Sequence, residues 1–183
     1  MSVLNTNDSL LLIIDIQEKL INAAFNSTQL KNKAEILAKA TNILEIPCII
    51  TEQYPKGLGN TIPEISMNIN TKQSNYFEKT DFNALNEVNV LELFNNIRKS
   101  QIIICGIETH ICVRQTASAL LNRGFQVSVI SDCCGSRSET EHRAGLDIMQ
   151  QEGCFIKTTE MALFELLKSS KHPNFKEIQS LIK

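Results

Sequence analysis

No stretch of this sequence stays apolar for long. Runs such as Leu10 to Ile14 fall far short of the roughly 20 residues a bilayer span requires, and the N-terminus has no basic segment leading into an apolar signal core. A cytoplasmic protein without membrane partners is therefore expected. Basic residues never form a block, and 18 of them face 20 acidic ones, so the electrostatic footprint that nucleic acid or an anionic surface demands is missing. A small uncharged or weakly charged partner fits better. Histidine is scarce: His110, His142 and His172 are the only three, and neither a Cys-x-x-Cys nor a His-x-x-x-His pair occurs. That argues against a metal site. No internal repeat or low-complexity segment is present either, which excludes solenoids and linkers.

What is present suits one domain of ordinary size. The 183 residues, 43% of them apolar, suffice to fill a core between a sheet and two helix layers, and a single domain over residues 1–183 is expected. Cys48, Cys105 and Cys154, three of six cysteines, lie in or at the start of apolar strand-like runs. There a thiol acts as a small hydrophobe, so they read as reduced and buried.

Short runs rich in Ile and Val alternate with longer amphipathic stretches. Strands are expected at Leu10 to Ile16, Cys48 to Thr51, Ser74 to Glu78, Gln101 to Gly106, Gln126 to Ser131 and Cys154 to Lys157. The third has the poorest pattern. Helical spacing runs through Thr28 to Glu45, Val88 to Lys99, Ile111 to Arg123, Glu139 to Glu152 and Thr159 to Leu167. Gly124 reads as a helix stop, and Phe175 to Leu181 as a short terminal helix. Right-handed βαβ crossovers then give an α/β fold, a three-layer αβα sandwich with a mostly parallel six-stranded sheet. Its site belongs at the carboxyl ends of the strands. One long connection, Glu52 to about Thr71, contains Pro55, Gly57, Gly59 and Pro63 and shows no evident structure. It reads as a functional loop or as plain solvated surface.

Asp15 ends the run Leu-Leu-Leu-Ile-Ile-Asp, so the strand carries a carboxylate to the carboxyl end of the sheet, where a charge among buried neighbours needs a partner. Taken alone it fits a helix or loop cap equally well. Cys112 falls in the first turn of a helix continued by Val113, Ala117, Leu120 and Leu121. The positive end of the helix dipole there favours a thiolate, although a lone cysteine at a helix start is more often packed core. Lys79, followed by Asp81 and Phe82, would be a surface charge in isolation. Beside Asp15 and Cys112 it would counter both anions. His110 is the one partner for a Cys-His pair, but a residue so near Cys112 in sequence more naturally points away.

The segments Leu-Leu-Ile-Ile-Asp-Ile-Gln around Asp15, Lys79 in mid-chain, and Cys-Gly-Ile-Glu-Thr-His-Ile-Cys-Val-Arg-Gln-Thr-Ala over Cys105 to Ala117 resemble the isochorismatase-like hydrolases. Thr51 to Gly59, Ser-Arg-Ser after Gly135, and His-Pro-Asn-Phe-Lys-Glu-Ile-Gln near the end look like the isochorismatase domain-containing subgroup. The resemblance covers nearly the whole chain, with the motifs in order. It implies a hydrolase in which Cys112 is the nucleophile, Asp15 the general base and later acid, and Lys79 their electrostatic partner. A cis peptide between Ile107 and Glu108 is implied, as is an oxyanion hole made by the backbone N–H groups of Glu108 and Cys112. Gln53, Tyr54, Phe82 and Ile107 are expected to line the substrate pocket. A homo-oligomer is expected as well, with Phe175, Ile178 and Leu181 offering contact surface.

Departures from relatives narrow the chemistry. Nicotinamidases that this chain resembles hold a metal through an Asp-x-His motif after the second strand, where this chain reads Glu52-Gln53-Tyr54. No metal and no cofactor are expected, and a pyridine amide is disfavoured. The vinyl-ether chemistry of the siderophore-pathway isochorismatases does not require a nucleophilic cysteine. Cys112 thus favours cleavage of a small amide or related C–N bond through a thioester. Two other readings remain: a redox-active thiol protein using Cys112 with Cys133 and Cys134, and a catalytically idle interaction module.

Overall fold

The computed structural model describes residues 3–70 and 74–183. Its strands are β1 (Ser9–Ile14), β2 (Cys48–Gln53), β3 (Ser74–Lys79), β4 (Gln101–Ile107), β5 (Gln126–Gly135) and β6 (Phe155–Lys157). They form one sheet in the order β3-β2-β1-β4-β5-β6, every pair parallel. Central β1 and β4 are buried at every position, as parallel strands must be when helices cover both faces. Around the sheet lie α1 (Glu18–Ala23), α2 (Ser27–Ile43), α3 (Pro55–Leu58), α4 (Pro63–Ser66), α5 (Val88–Asn96), α6 (Arg114–Asn122), α7 (Glu139–Glu152), α8 (Thr159–Leu167) and α9 (Phe175–Leu181). Helices α2 and α8 pack together over β5, while α6 and α7 pair and also meet it, which completes the three layers. None of the described helices is long and apolar enough to cross a membrane.

The strand order turns back between β1 and β4, and the crevice at their carboxyl ends is where such sheets bind ligands. Gly106 sets how closely these ends approach. Its φ is +140°, and a Cβ there would stand 2.0 Å from the carbonyl oxygen of Ile14, so only glycine fits.

The elements differ from expectation in ways with physical causes. Strand β5 runs on to Gly135 and absorbs Cys133 and Cys134, both fully buried. The connection after β2 is not structureless: Glu52 and Gln53 belong to β2, and α3 and α4 each begin with a proline, which suits a first helical position. Thr71, where that connection was taken to end, lies outside the described residues. Helix α5 stops at Asn96 rather than Lys99. Gly124 does end α6, at φ +84°, while the Phe125 N–H reaches back to the Leu120 carbonyl. Of the apolar residues of the tail, Phe175 and Leu181 are half-buried and Ile178 is spent on the chain's own core. Ile178 is fully buried, Phe175 sets its ring edge-on to Phe164, and α9 packs on α2, because its apolar face finds cover within its own chain.

Candidate active site

Asp15 follows the last residue of β1 in a left-handed conformation, φ +50°, which Asp tolerates better than most residues. Its N–H still bonds the Thr51 carbonyl at 3.1 Å, so the strand pairing fixes it. The carboxylate is fully buried. The Thr51 hydroxyl donates to Oδ1 at 2.7 Å, and Lys79 Nζ lies 2.7 Å from Oδ2. That ammonium approaches off the hydrogen-bond direction, leaving Oδ2 with a charge beside it but no aligned donor among the described residues. Lys79, the last residue of β3, is itself fully enclosed. It donates to Gln53 Oε1 at 2.5 Å and to the Asp81 carbonyl at 3.1 Å. The Asp15 carboxylate stands beside the same ammonium as its counter-charge.

Cys112 arrives from the other side of the crevice. The Ile107–Glu108 peptide at the end of β4 is cis, and the chain then makes a π turn over Thr109–Val113 before α6 begins. The Glu108 carbonyl accepts from the N–H groups of Ile111 at 3.1 Å and Val113 at 3.2 Å. Helix α7 supports this turn from behind. A Cβ on Gly145 would come within 2.9 Å of His110 Cα, and buried Thr109 places its hydroxyl 2.9 Å from His142 Nδ1.

The Cys112 thiol and the Asp15 carboxyl each perturb the other. Burial raises Asp15 above the usual 3.8, opposed first by the Lys79 charge and then by the polar groups of Lys79, Thr51 and Cys112 around it. Burial also pushes the Cys112 thiol up to about 12, helped by the Asp15 charge and opposed by Lys79. The expectation of a resting thiolate is thereby overturned: loss of solvation outweighs the helix start. Burial thus holds Cys112 as a neutral thiol.

Asp15, Lys79 and Cys112 therefore come together from the ends of β1, β3 and β4. Gln53 joins them as the lysine's acceptor and also donates to the Thr80 carbonyl. Tyr54, in a left-handed conformation, lines a cleft of about 200 Å³ with Pro55, Lys56, Glu78, Lys79, Thr80 and Glu87. Phe82 is exposed nearby in sequence, whereas Ile107 is buried and faces a separate hollow of about 40 Å³ against Leu20, Ala23 and Ala24. His110 turns away to Ser136 Oγ at 3.0 Å, so no Cys-His pair forms. A wider concavity, about 430 Å³ beside Leu10, Cys48 and Asn75, sits at the opposite, amino ends of the strands. Among the described residues, no group of three or more His, Cys, Asp or Glu side chains is arranged to hold a metal.

Sequence reasoning missed Thr51, although a lone hydroxyl ending Cys-Ile-Ile-Thr is the same signal that marked Asp15. It also missed Gly145 and His142, which no local pattern connects to a turn more than 30 residues away.

Isochorismatase domain-containing protein 2 of Danio rerio is 41% identical over 179 residues, covering 98% of this chain and 89% of that one. The structure of MAR1 ribonuclease from Caenorhabditis elegans superimposes with a TM-score of 0.92 at 36% identity, covering 98% of this chain and 91% of its own. The YcaC gene product of Escherichia coli, described as an octameric hydrolase of unknown specificity, shares the fold at a TM-score of 0.87 and 23% identity, covering 97% and 94%. The family model described as "Isochorismatase domain" matches residues 9–161, and the chain belongs to the isochorismatase family.

Proposed function

We propose that this protein is a cysteine hydrolase that cleaves a small amide or related C–N bond through a thioester. One observation carries the reading: a buried lysine stands 2.7 Å from a buried carboxylate, and that carboxylate and the Cys112 thiol perturb one another. An ion pair taken out of water gains little stability over an apolar core, so its presence beside a thiol speaks for chemistry. Asp15 takes the Cys112 proton as sulfur attacks the carbonyl carbon, and Lys79 offsets the negative charge that remains in the site. The backbone N–H groups of Glu108 and Cys112 receive the oxyanion, each donor being worth about 3 kcal/mol in such sites. The tetrahedral intermediate collapses as the C–N bond breaks, with Asp15 returning the proton to the leaving nitrogen. A water deprotonated by the same carboxylate then hydrolyses the thioester and restores the thiol.

Full burial of Cys133 and Cys134 in β5 weighs against the redox reading, since exchange needs an accessible thiol. The name of the C. elegans neighbour favours a second activity, RNA cleavage, against which stands the near balance of 18 basic and 20 acidic residues without a basic block. A panel of small amides, carbamates, ureides and a structured RNA, assayed with the wild type and Cys112→Ala, tests both. Amide turnover lost in Cys112→Ala is the expected result. RNA cleavage that survives that substitution, with no amide turned over, would overturn the proposal.

A further inference from the structure

We infer that Tyr54 is a specificity-determining residue whose ring forms a flat wall for the leaving group, so that the site takes amides whose nitrogen carries a planar ring. The inference rests on the hydrolase reading above. Tyr54 lies in the left-handed region, φ +37°, a conformation that a bulky residue rarely adopts and that a fold keeps only where its surroundings fix it. Here they fix it at both backbone polar groups. The Tyr54 N–H donates to the Lys79 carbonyl at 3.0 Å, and the Tyr54 carbonyl accepts from the N–H groups of Gly57 at 2.9 Å and Leu58 at 3.1 Å. Lys19 Nζ in turn donates to the Gly57 carbonyl at 2.7 Å. The ring lies against Gly57: a Cβ there would stand 2.3 Å from Tyr54 Cε1 and 2.4 Å from Cδ1, so only glycine leaves the ring its place.

The fold does not bury this ring. It is 57% exposed, and its hydroxyl makes no hydrogen bond among the described residues. A strained backbone that holds an aromatic face out to a cleft is not something a packed core requires, and such strain gathers at ligand clamps. The cleft lies beside Lys79 and measures about 200 Å³, whereas an apolar cavity of about 150 Å³ already takes a benzene ring. In the sheet order it stands on the β2 and β3 side of Asp15, while Cys112 enters from the end of β4. In the proposed reaction the acyl carbon stays on Cys112, and the nitrogen departs with the proton that Asp15 returns. The nitrogen substituent is therefore directed to the Tyr54 side and the acyl substituent away from it. An aromatic side chain holds a second ring offset-stacked or edge-on, and tyrosine, with two side-chain torsions, loses little freedom in doing so. The charges along the cleft are of both signs, Lys56 against Glu78 and Glu87, which leaves ring shape rather than charge as the basis of selection.

Acetanilide and N-cyclohexylacetamide share the acyl group and a six-membered ring on nitrogen, flat in one and puckered in the other. Their leaving nitrogens differ in basicity, so the readout is the ratio of the two kcat/KM values in each protein; intrinsic reactivity cancels when variants are compared. Tyr54→Asn removes the ring but keeps a residue that tolerates the left-handed backbone. The ratio should fall about two- to tenfold, the worth of an aromatic pair, mainly through KM. Tyr54→Phe should keep the ratio, and Gly57→Ala, which displaces the ring without deleting it, should lower it. A ratio that Tyr54→Asn leaves unchanged, or that Tyr54→Phe lowers as far as Tyr54→Asn does, overturns the inference and leaves the hydrolase reading intact. Binding is read separately from turnover. The chain has no tryptophan and two tyrosines, Tyr54 and Tyr76, so in Cys112→Ala carrying Tyr76→Phe the emission comes from Tyr54 alone. Acetanilide should change that emission saturably, and N-cyclohexylacetamide only at higher concentration. This result supports the aromatic wall even if no amide is hydrolysed, in which case the hydrolase reading alone fails, whereas an emission that acetanilide leaves unchanged overturns the inference.

Discussion

Lys79→Met removes the one buried cation of the site. The ammonium and the carboxylate are both fully enclosed, so solvent screening gives no relief, and Gln53 Oε1 and the Asp81 carbonyl also lose their donor. Breaking a buried pair at one end costs about 3 to 5 kcal/mol, and protonation of Asp15 moves the loss towards the lower figure. With a urea slope of about 2 kcal/mol per molar, the unfolding midpoint should drop by about 1.5 M. Asp15→Asn strands the lysine instead and should lose a similar amount. The double variant holds no buried charge and should be more stable than either single one, a coupling of about 2 kcal/mol or more. The pH dependence has a definite sign. Burial holds the folded Asp15 above 3.8, so its contribution to stability is full below that value and is lost as pH rises through the folded value. Without Lys79 the folded value climbs further, so the gap between wild type and Lys79→Met should widen from acid towards neutral pH. Urea titrations of the four proteins at two pH values measure all of this. A Lys79→Met variant within about 0.5 kcal/mol of the wild type at neutral pH, or strict additivity in the double variant, would refute the reasoning.

Other perturbations probe separate parts of the account. Gly145→Ala puts a methyl 2.9 Å from His110 Cα; it should cost about 1 to 3 kcal/mol and lower kcat more than KM, as melting and kinetics would show. Cys112 is the most exposed of the six cysteine residues at 7%, yet burial pushes its thiol up to about 12. Brief labelling with iodoacetamide and peptide mapping should mark it first, more slowly at pH 7 than a free thiol, with the rate rising in alkali. Labelling concentrated on Cys133 or Cys134 would contradict this. Catalysis should survive dialysis against a strong chelator, since the described residues form no ligand cluster; a loss restored by added zinc or manganese would be the opposite result.

The alternation of apolar runs was enough to read the layers and the sheet, because β1 and β4 are buried on both faces and leave no polar period to confuse the eye. Strand β3 was legible but weak, since it is an edge with exposed Asn75, Tyr76 and Glu78. Helices α1, α3 and α4 escaped notice because four to six residues are too few to display a period of 3.6. At the site, Asp15, Lys79 and Cys112 emerged from the sequence only in combination, each being ambiguous alone. The direction of the Cys112 perturbation was not legible at all. A helix start favours a thiolate, and only the enclosure of the thiol beside a buried carboxylate shows that desolvation wins. Gly145 meets the turn through an approach across elements, to His110, which no local spacing encodes.

The central claim is that sulfur of Cys112 carries the acyl group. Rapid acid quench of the protein turning over a small amide, followed by intact mass and peptide mapping, tests it most directly. The account predicts a mass increase equal to the acyl group, located on Cys112, absent in Cys112→Ala and depleted when turnover ends. Product formed with no adduct at any time, and at an undiminished rate in Cys112→Ala, would contradict it.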